Sequence, residues 1–232
     1  MASLSVKSSK RSSDKVKGTL PSRFYARDTL DVARDLLGKV LVVRSRPQEP
    51  LDSNLAQVTM ARIVETEAYH GSDPASHSCR GETPRSAIMF GVPGVAYVYF
   101  IYGMYEMLNF VTERKGYPGA VLIRAVEPLS GEELMSKRRG PMISKKLLTS
   151  GPGRLTQAMG VKMSHCGQPL QGPALYVADD GFRPGRICVS PRVGIRLASD
   201  REWRFFIEGN PFVSKAPQNS QSKFCSRGEK RG

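Results

Sequence analysis

Two kinds of hydrophobic pattern occur along this chain. Behind Asp28 or Thr29, apolar residues recur at helical spacing up to residue 37, and Gly38 follows as a stop signal, which predicts a first helix. Shorter runs rich in Val, Ile and aromatic residues are typical of strands. They occupy residues 39–44, 62–68, 95–101, 107–112, 119–126, 174–178, 186–190 and 203–208.

Two further helices are predicted between the strands. Ser130 and Glu133 have the spacing of a capping box, which opens a helix running to about Arg139, and a short helix is expected over 152–159. Helices and strands therefore mix without a regular βαβ alternation. This order predicts an α+β fold, a single mixed domain with a largely antiparallel, curved sheet and surrounding helices.

A protruding β-hairpin is the most regular feature of the pattern. Strands 95–101 and 107–112 are joined through a turn at Gly103, which places Tyr102 and Met104 at the tip. Ahead of the hairpin, residues 70–94 are rich in Gly, Pro, Ser and Asp. A segment of this length without periodic structure is usually functional in a compact domain.

Positive charge is concentrated at both ends of the chain. The chain has 232 residues, a size that fits one domain. Its formal net charge of +14 indicates nucleic acid or an anionic membrane surface as the partner. Residues 1–23 hold six Lys and Arg against one Asp, and residues 214–232 hold five against one Glu. We expect basic disordered tails at 1–21 and 215–232 around a domain at 22–214.

Signals for cellular address and redox state are sparse. No apolar run of about 18 residues occurs, so we expect no transmembrane helix, and the N-terminus lacks the apolar core of a secretory signal. Its Ser- and Lys-rich composition favours a nuclear address, with an organellar transit peptide as the alternative. Cys79, Cys166, Cys188 and Cys225 form no CxxC pair, and we interpret them as reduced thiols of an intracellular protein.

Glu65 and Glu67 form a candidate catalytic pair, since alternation puts both on one face of an apolar strand. Burying a carboxylate costs several kcal/mol unless it is compensated. One reading is that both face solvent at a sheet edge. The other is that one of them is a general base, held ionised by a cation such as Arg124. A purely structural ion pair explains Arg124 almost as well.

Other candidates lie in the hairpin and in segment 70–94. An exposed apolar wedge formed by Tyr102 and Met104 suits entry into a minor groove, where it fills the gap left by an unstacked base. A single His in a loop, such as His77, is usually a polar surface residue. The spacing of His77 with the neighbouring His70 and Cys79 fits no standard metal site. Asn109, inside an apolar strand, needs hydrogen-bond partners from the backbone or from a ligand.

Several segments together resemble the alkyladenine DNA glycosylases, also called methylpurine or 3-methyladenine DNA glycosylases. The segments are ARDTLDVARDLLGK (26–39), RIVETEAY (62–69), YVYFIYGMY (97–105), AVLIRA (120–125), SGPG (150–153) and PRVGI (191–195). They keep the family's order from about residue 22 to residue 214. The resemblance implies an enzyme of base excision repair that flips a damaged purine out of double-stranded DNA and hydrolyses its N-glycosidic bond.

The resemblance also implies roles for single residues. Glu67 matches the general base that deprotonates the attacking water, while Arg124 and the backbone carbonyl of Val193 match the groups that hold this water. Tyr102 matches the residue that fills the vacated stack, with Met104 beside it. The remaining matches surround the flipped base: Tyr69, His77 and Tyr99 sandwich and hydrogen-bond it, and Asn109 disfavours the exocyclic amino group of guanine.

The implied enzyme is a monomer that needs no metal or organic cofactor and no membrane, and it leaves an abasic site without cutting the strand. Its expected substrates are 3-methyladenine, 7-methylguanine, hypoxanthine and ethenoadenine. His70, and the charged run of residues 113–115, depart from the family pattern and bear on substrate range. The rivals are a non-catalytic nucleic-acid-binding module on the same scaffold and a glycosidase acting on free sugars or nucleosides; the second would not need a net charge of +14.

Overall fold

One antiparallel sheet organises this protein, whose computed structural model describes residues 17–48, 57–71, 73–140 and 142–225. Its strands are β1 (Lys17–Thr19), β2 (Val40–Arg44), β3 (Val58–His70), β4 (Ala96–Ile101), β5 (Tyr105–Val111), β6 (Gly119–Ser130), β7 (Leu175–Asp179), β8 (Ile187–Ser190), β9 (Arg204–Ile207) and β10 (Lys223–Cys225). The α-helices are α1 (Ser22–Tyr25), α2 (Thr29–Asp35), α3 (Glu132–Arg139) and α4 (Pro152–Met159). The predicted mixed fold with an antiparallel sheet is confirmed.

Strand β3 is the branch point of the sheet. The main path runs β1-β7-β2-β3-β6-β5-β4, and β9 pairs with β3 as well, followed by β8 and β10. One side of β3 pairs with β6 along most of its length. Its other side pairs first with β2, over residues 58–62, and then with β9, over residues 65–67. The centre of β3 therefore lies between two strands and not at a sheet edge.

The N-terminus of α2 is capped by a side chain, whereas that of α3 is not. The Asp28 carboxylate accepts hydrogen bonds from the N–H groups of Leu30 and Asp31, which caps α2 as predicted. The predicted capping box before α3 is wrong, because Ser130 ends β6 and makes no cap. The N-cap of α3 is Gly131, with φ of 78°, where a Cβ would lie 2.5 Å from the carbonyl oxygen of Val58.

The hydrophobic core lies between the sheet and the helices. Helix α2 packs on β3 and β6, and α4 packs on β5 and β6. Val32 and Ala33 of α2 and Leu155 and Ala158 of α4 are fully buried. This packing fixes β3, β5 and β6 relative to the start of α4, and the candidate site is built from these elements.

Both ends of the described chain add a strand to the sheet beyond residues 22–214. Strand β1 pairs with β7, and β10 pairs with β8 after a 3-10 helix at Pro217–Gln221. Residues 1–16 and 226–232, the remainder of the predicted tails, lie outside the described residues. None of the helices in the described part of the chain has the length and apolar character needed to cross a membrane.

Candidate active site

A cavity of about 330 Å³ collects most of the residues singled out in the sequence. It is bounded by β3 to β6, the first residue of α4, the loop after β3 and the loop after β8. Its lining includes seven of the candidates: Tyr69, His77, Tyr99, Tyr102, Asn109, Arg124 and Val193. Glu67 contacts three of these lining residues from within the sheet, whereas Met104 lies on the hairpin outside the cavity lining.

The Glu67 carboxylate is fully buried and accepts from three donors. Its Oε2 accepts the Tyr69 hydroxyl at 2.7 Å and Nη1 of Arg124 at 3.3 Å. Its Oε1 accepts the backbone N–H of Val193 at 2.7 Å. All three contacts stabilise negative charge on the carboxylate, which compensates its removal from water.

Arg124 connects the two carboxylates of β3. Its Nε donates to Oε1 of Glu65 at 3.2 Å, and its Nη1 reaches Glu67. Burial by itself lowers the pKa of Arg124, but the negative charges of Glu67 and Glu65 outweigh that effect and raise it. The guanidinium therefore stays charged. It forms ion pairs with both Glu65 and Glu67, and it also lines the cavity.

Glu65 has a supporting position away from the cavity. Nε of Arg204 donates to its Oε1 at 2.7 Å, and the backbone N–H of Ser214 donates to its Oε2 at 2.7 Å. The Ser214 hydroxyl contacts both oxygens, at 2.7 and 2.8 Å. Glu65 and Glu67 are both 0% exposed, so the solvent-facing reading of this pair is wrong. The reason is the branching of β3, which gives this segment a neighbouring strand on each side.

Tyr69 forms one wall of the cavity and keeps its phenolic proton. Burial raises its pKa well above the ordinary value of about 10, and the charge and hydrogen bond of Glu67 raise it further. Tyr69 therefore donates to Glu67 and does not compete with it for a proton. The ring packs on the guanidinium of Arg192, whose Cζ lies 4.6 Å from the ring centroid.

His77 and two tyrosines form a second group of lining residues in contact with one another. Nδ1 of His77 shares a hydrogen bond of 2.9 Å with the Tyr97 hydroxyl, and its ring meets Tyr99 edge to face at 4.6 Å. Burial, together with the positive charge of Arg85, lowers the pKa of His77 to about 4. Burial, followed by the effect of Tyr97, raises the pKa of Tyr99 to about 12. The reading of His77 as a surface residue is therefore wrong, and this group is neutral near pH 7.

Asn109 and the hairpin tip complete the cavity. Nδ2 of Asn109 donates to the backbone carbonyls of Tyr97 at 3.2 Å and Met107 at 3.3 Å, which supplies the partners that its burial requires. At the tip, Tyr102 is 79% exposed and Met104 is 62% exposed. Tyr102 has φ of 54°, a left-handed conformation that is uncommon for a residue other than Gly, and it lines the cavity as well.

Comparison with known proteins places this arrangement in a family. The family model described as methylpurine-DNA glycosylase matches residues 23–211. The chain belongs to the methylpurine-DNA glycosylase family. Its relatives include proteins named for 3-methyladenine DNA glycosylase from Methanocella arvoryzae, 47% identical over 84% of this chain and 96% of that protein, and from Chlorobaculum tepidum, 42% identical over 90% and 97%.

A third relative, from Methanoculleus marisnigri, has the same kind of name and is 45% identical over 85% of this chain and 99% of its own length. Membership of the methylpurine-DNA glycosylase family makes the protein an enzyme of DNA repair, a hydrolase acting on N-glycosyl bonds with DNA as its partner. In the described residues, no group of three or more His, Cys, Asp or Glu side chains is placed to hold a metal ion.

Four supporting residues of this candidate site were not singled out in the sequence: Asp73, Arg192, Arg204 and Ser214. Arg204 and Ser214 hold Glu65, while Asp73 and Arg192 form a buried ion pair beside Tyr69. Two charged members stand next to apolar residues, Arg192 before Val193 and Arg204 in the apolar strand β9, and this is the signal that could have identified them. Ser214 carries no such signal, because its role depends on a contact across 149 positions.

Proposed function

We propose that this protein is a monofunctional DNA glycosylase of base excision repair that flips damaged purines out of double-stranded DNA and hydrolyses their N-glycosidic bond. One observation carries the proposal: a fully buried carboxylate, that of Glu67, accepts from three donors that all line an aromatic cavity. A non-catalytic binding module has no use for a carboxylate beside a phosphate-rich ligand.

The cavity suits a planar, electron-poor base. Tyr69, His77 and Tyr99 all line the cavity, and these three side chains are neutral near pH 7. Stacking on such rings contributes about 1–3 kcal/mol per base, and it favours purines alkylated at N3 or N7, which carry positive charge. We place 3-methyladenine, 7-methylguanine, hypoxanthine and ethenoadenine among the substrates, with Asn109 selecting against the amino group of guanine.

The reaction needs one water and one base. Glu67 takes a proton from the water as the water oxygen bonds to C1′ of the sugar, while the C1′–N bond breaks and its electron pair leaves with the purine. Arg124 and the backbone carbonyl of Val193 orient the water. The carboxylate also stabilises the oxocarbenium-like sugar that develops in the transition state. Among the described residues, the cavity lining includes no Lys, which supports a reaction without an amine nucleophile. The expected product is an abasic site with an intact strand.

The hairpin tip acts in the extrusion of the nucleotide, which precedes hydrolysis. Extruding a nucleotide leaves a gap in the duplex, and unstacking costs a few kcal/mol. Tyr102 is both exposed and part of the cavity rim, so it can fill the gap while the base occupies the cavity. Met104, on the same tip, contacts the neighbouring bases.

The test is single-turnover excision with the Glu67→Gln variant on duplexes that contain hypoxanthine or ethenoadenine. The substitution keeps the size of the side chain and removes its ability to take a proton, so we expect lesion binding to persist and base release to be lost. Glu127→Gln, on the same sheet but bonded to Asn210, is the matched control and should excise at the wild-type rate. Base release by Glu67→Gln at the wild-type rate would show that the mechanism is wrong.

A further inference from the structure

A second buried ion pair lies behind the Tyr69 wall, and the reaction described above does not use it. Arg192 and Asp73 are each 1% exposed. Nη1 and Nη2 of Arg192 donate to the two carboxylate oxygens of Asp73, the Nη2 bond measuring 3.0 Å. Neither residue lines the cavity, and the Tyr69 ring, which does, packs on the guanidinium.

The pair joins two loops that both contribute to the cavity lining. Asp73 belongs to the loop after β3, which carries His77 to the cavity four residues later. Arg192 belongs to the loop after β8 and directly precedes Val193, whose N–H donates to Glu67. A displacement of either side chain therefore moves a group that contacts the carboxylate or the base.

Arg192 also contacts the strand that carries the general base. Its Nη1 donates to the carbonyl of Ala68 at 2.9 Å, between Glu67 and Tyr69 on β3. The guanidinium lies between two rings, 4.6 Å from the Tyr69 centroid and 5.0 Å from that of Trp203. Only a planar group that donates in several directions makes these contacts together, and a Lys ammonium does not.

We propose that Arg192, held by Asp73, is a positioning residue that fixes the Tyr69 ring and the Val193 N–H relative to Glu67. It acts through these groups and touches neither base nor water. The inference rests on the proposed function, because it assigns a part of the base-binding cavity. It predicts that a substitution in the Arg192–Asp73 pair reduces excision by more than the accompanying loss of folded protein explains.

The experiment compares three variants with a matched control in the full-length chain: Arg192→Met, Arg192→Lys, Asp73→Asn and the control Arg62→Met. Arg62 makes contacts of the same kinds away from the cavity, with one ring in place of two and a side chain that is 12% exposed. It donates to both oxygens of Asp180 at 3.1 and 2.8 Å and to the Gly38 carbonyl at 2.7 Å, and it lies 4.0 Å from the Phe182 ring centroid. Thermal unfolding, affinity for a hypoxanthine duplex and for an undamaged duplex, and single-turnover excision are measured for each.

We expect Arg192→Met to lower single-turnover excision roughly 100-fold, as a misplacement of about 1 Å does, with unchanged affinity for undamaged DNA. Arg192→Lys should recover stability but not excision, and Asp73→Asn should lower excision by about tenfold. Arg62→Met should lose stability and keep the wild-type excision rate. If Arg192→Met does not fold, Arg192→Lys and Asp73→Asn decide the question by the same comparison.

Two results would overturn the inference: wild-type excision by the folded variants, or an equal loss of excision in Arg62→Met. Failure of all three variants to fold at every assay temperature would also overturn it, since the pair would then serve folding alone. If the wild-type protein excised no damaged purine, the proposed function would fail instead. The wild-type measurement in the same assay therefore distinguishes failure of this inference from failure of the proposed function.

Discussion

Ser214 holds Glu65 with two donors at once, its backbone N–H at 2.7 Å from Oε2 and its hydroxyl at 2.7 Å from Oε1. Glu65 in turn accepts from Arg124, the guanidinium that contacts Glu67. Ser214 lies three residues beyond the segment matched by the family model, which ends at residue 211. The support of the candidate site thus extends past the segment that the family model matches.

The first prediction concerns this support. Ser214→Ala removes the hydroxyl and keeps the N–H, and a hydrogen bond to a buried carboxylate contributes about 1.5–3 kcal/mol. We expect the free energy of unfolding in urea to fall by about that amount. Ser220→Ala, which removes an exposed hydroxyl bonded to the Pro217 carbonyl, is the control and should leave stability unchanged. Equal stability of the Ser214 variant and the wild type would contradict the prediction.

The second prediction separates the ring of Tyr69 from its hydroxyl. Tyr69→Phe keeps the stacking surface and deletes the donor to Glu67, so lesion affinity should persist while single-turnover excision falls. A loss of about 1.4 kcal/mol of transition-state stabilisation gives a tenfold lower rate. Tyr176→Phe, on β7 and outside the cavity lining, serves as the control. A Tyr69→Phe rate equal to that of the control would mean that the hydroxyl does not serve catalysis.

The third prediction is a titration. The pKa of His77 is lowered to about 4, below the ordinary 6.5, by burial and by Arg85. Between these two values the unfolded chain binds a proton that the folded protein excludes, so stability is fully present above about pH 6.5 and falls as the pH drops towards 4. His77→Gln should flatten this part of the stability curve, and Arg85→Gln should raise the pKa of His77.

Nuclear magnetic resonance of the imidazole protons measures this pKa directly, since the chain has three histidines, His70, His77 and His165. Substitution of each in turn assigns the signals. Titration of His77 near pH 6.5 in the folded wild-type protein would contradict the prediction.

The fourth prediction concerns the hairpin tip. Tyr102→Ala should weaken binding to a duplex with an abasic-site analogue by about 1–3 kcal/mol, through lost stacking. Because the side chain is 79% exposed, the free energy of unfolding should stay near the wild-type value. Phe224→Ala removes another exposed ring, 61% exposed on β10, and should leave DNA affinity unchanged. Equal affinity of Tyr102→Ala and wild type would remove the wedge role.

The fifth prediction tests the terminal charge. Residues 1–16 and 226–232 together hold seven Lys and Arg against Asp14 and Glu229, a net +5. Deleting both segments should flatten the dependence of non-specific DNA affinity on salt concentration, since fewer counterions are released on binding. Single-turnover excision at saturating enzyme should stay near the wild-type rate. An unchanged slope of affinity against salt would show that these segments do not contact DNA.

Local pattern was sufficient for most of the elements and for several residues of the cavity, whereas Tyr69 and Val193 were named only through the resemblance to the family. The helical spacing after Asp28 predicted α2. Arg124 was identified as a candidate because it is an Arg inside an apolar strand. The partners that satisfy buried charges were not accessible in this way. Asp73 and Arg192 are 119 positions apart, and Glu65 and Ser214 are 149 apart, so no periodicity connects them. The predicted Ser130 cap of α3 was wrong for a related reason, because the close approach of Val58 to Gly131 is a tertiary contact.

The branched strand β3 limits the substitutions that this site can accept during evolution. Glu65, Glu67, Arg124 and Arg204 form a buried set with two negative and two positive charges. Replacing any one of them by a neutral residue leaves an odd charge without water to solvate it, a change that costs several kcal/mol. A lineage can therefore change this set with little loss of stability only when one carboxylate and one guanidinium are replaced together, and this holds even for Glu65 and Arg204, which do not line the cavity.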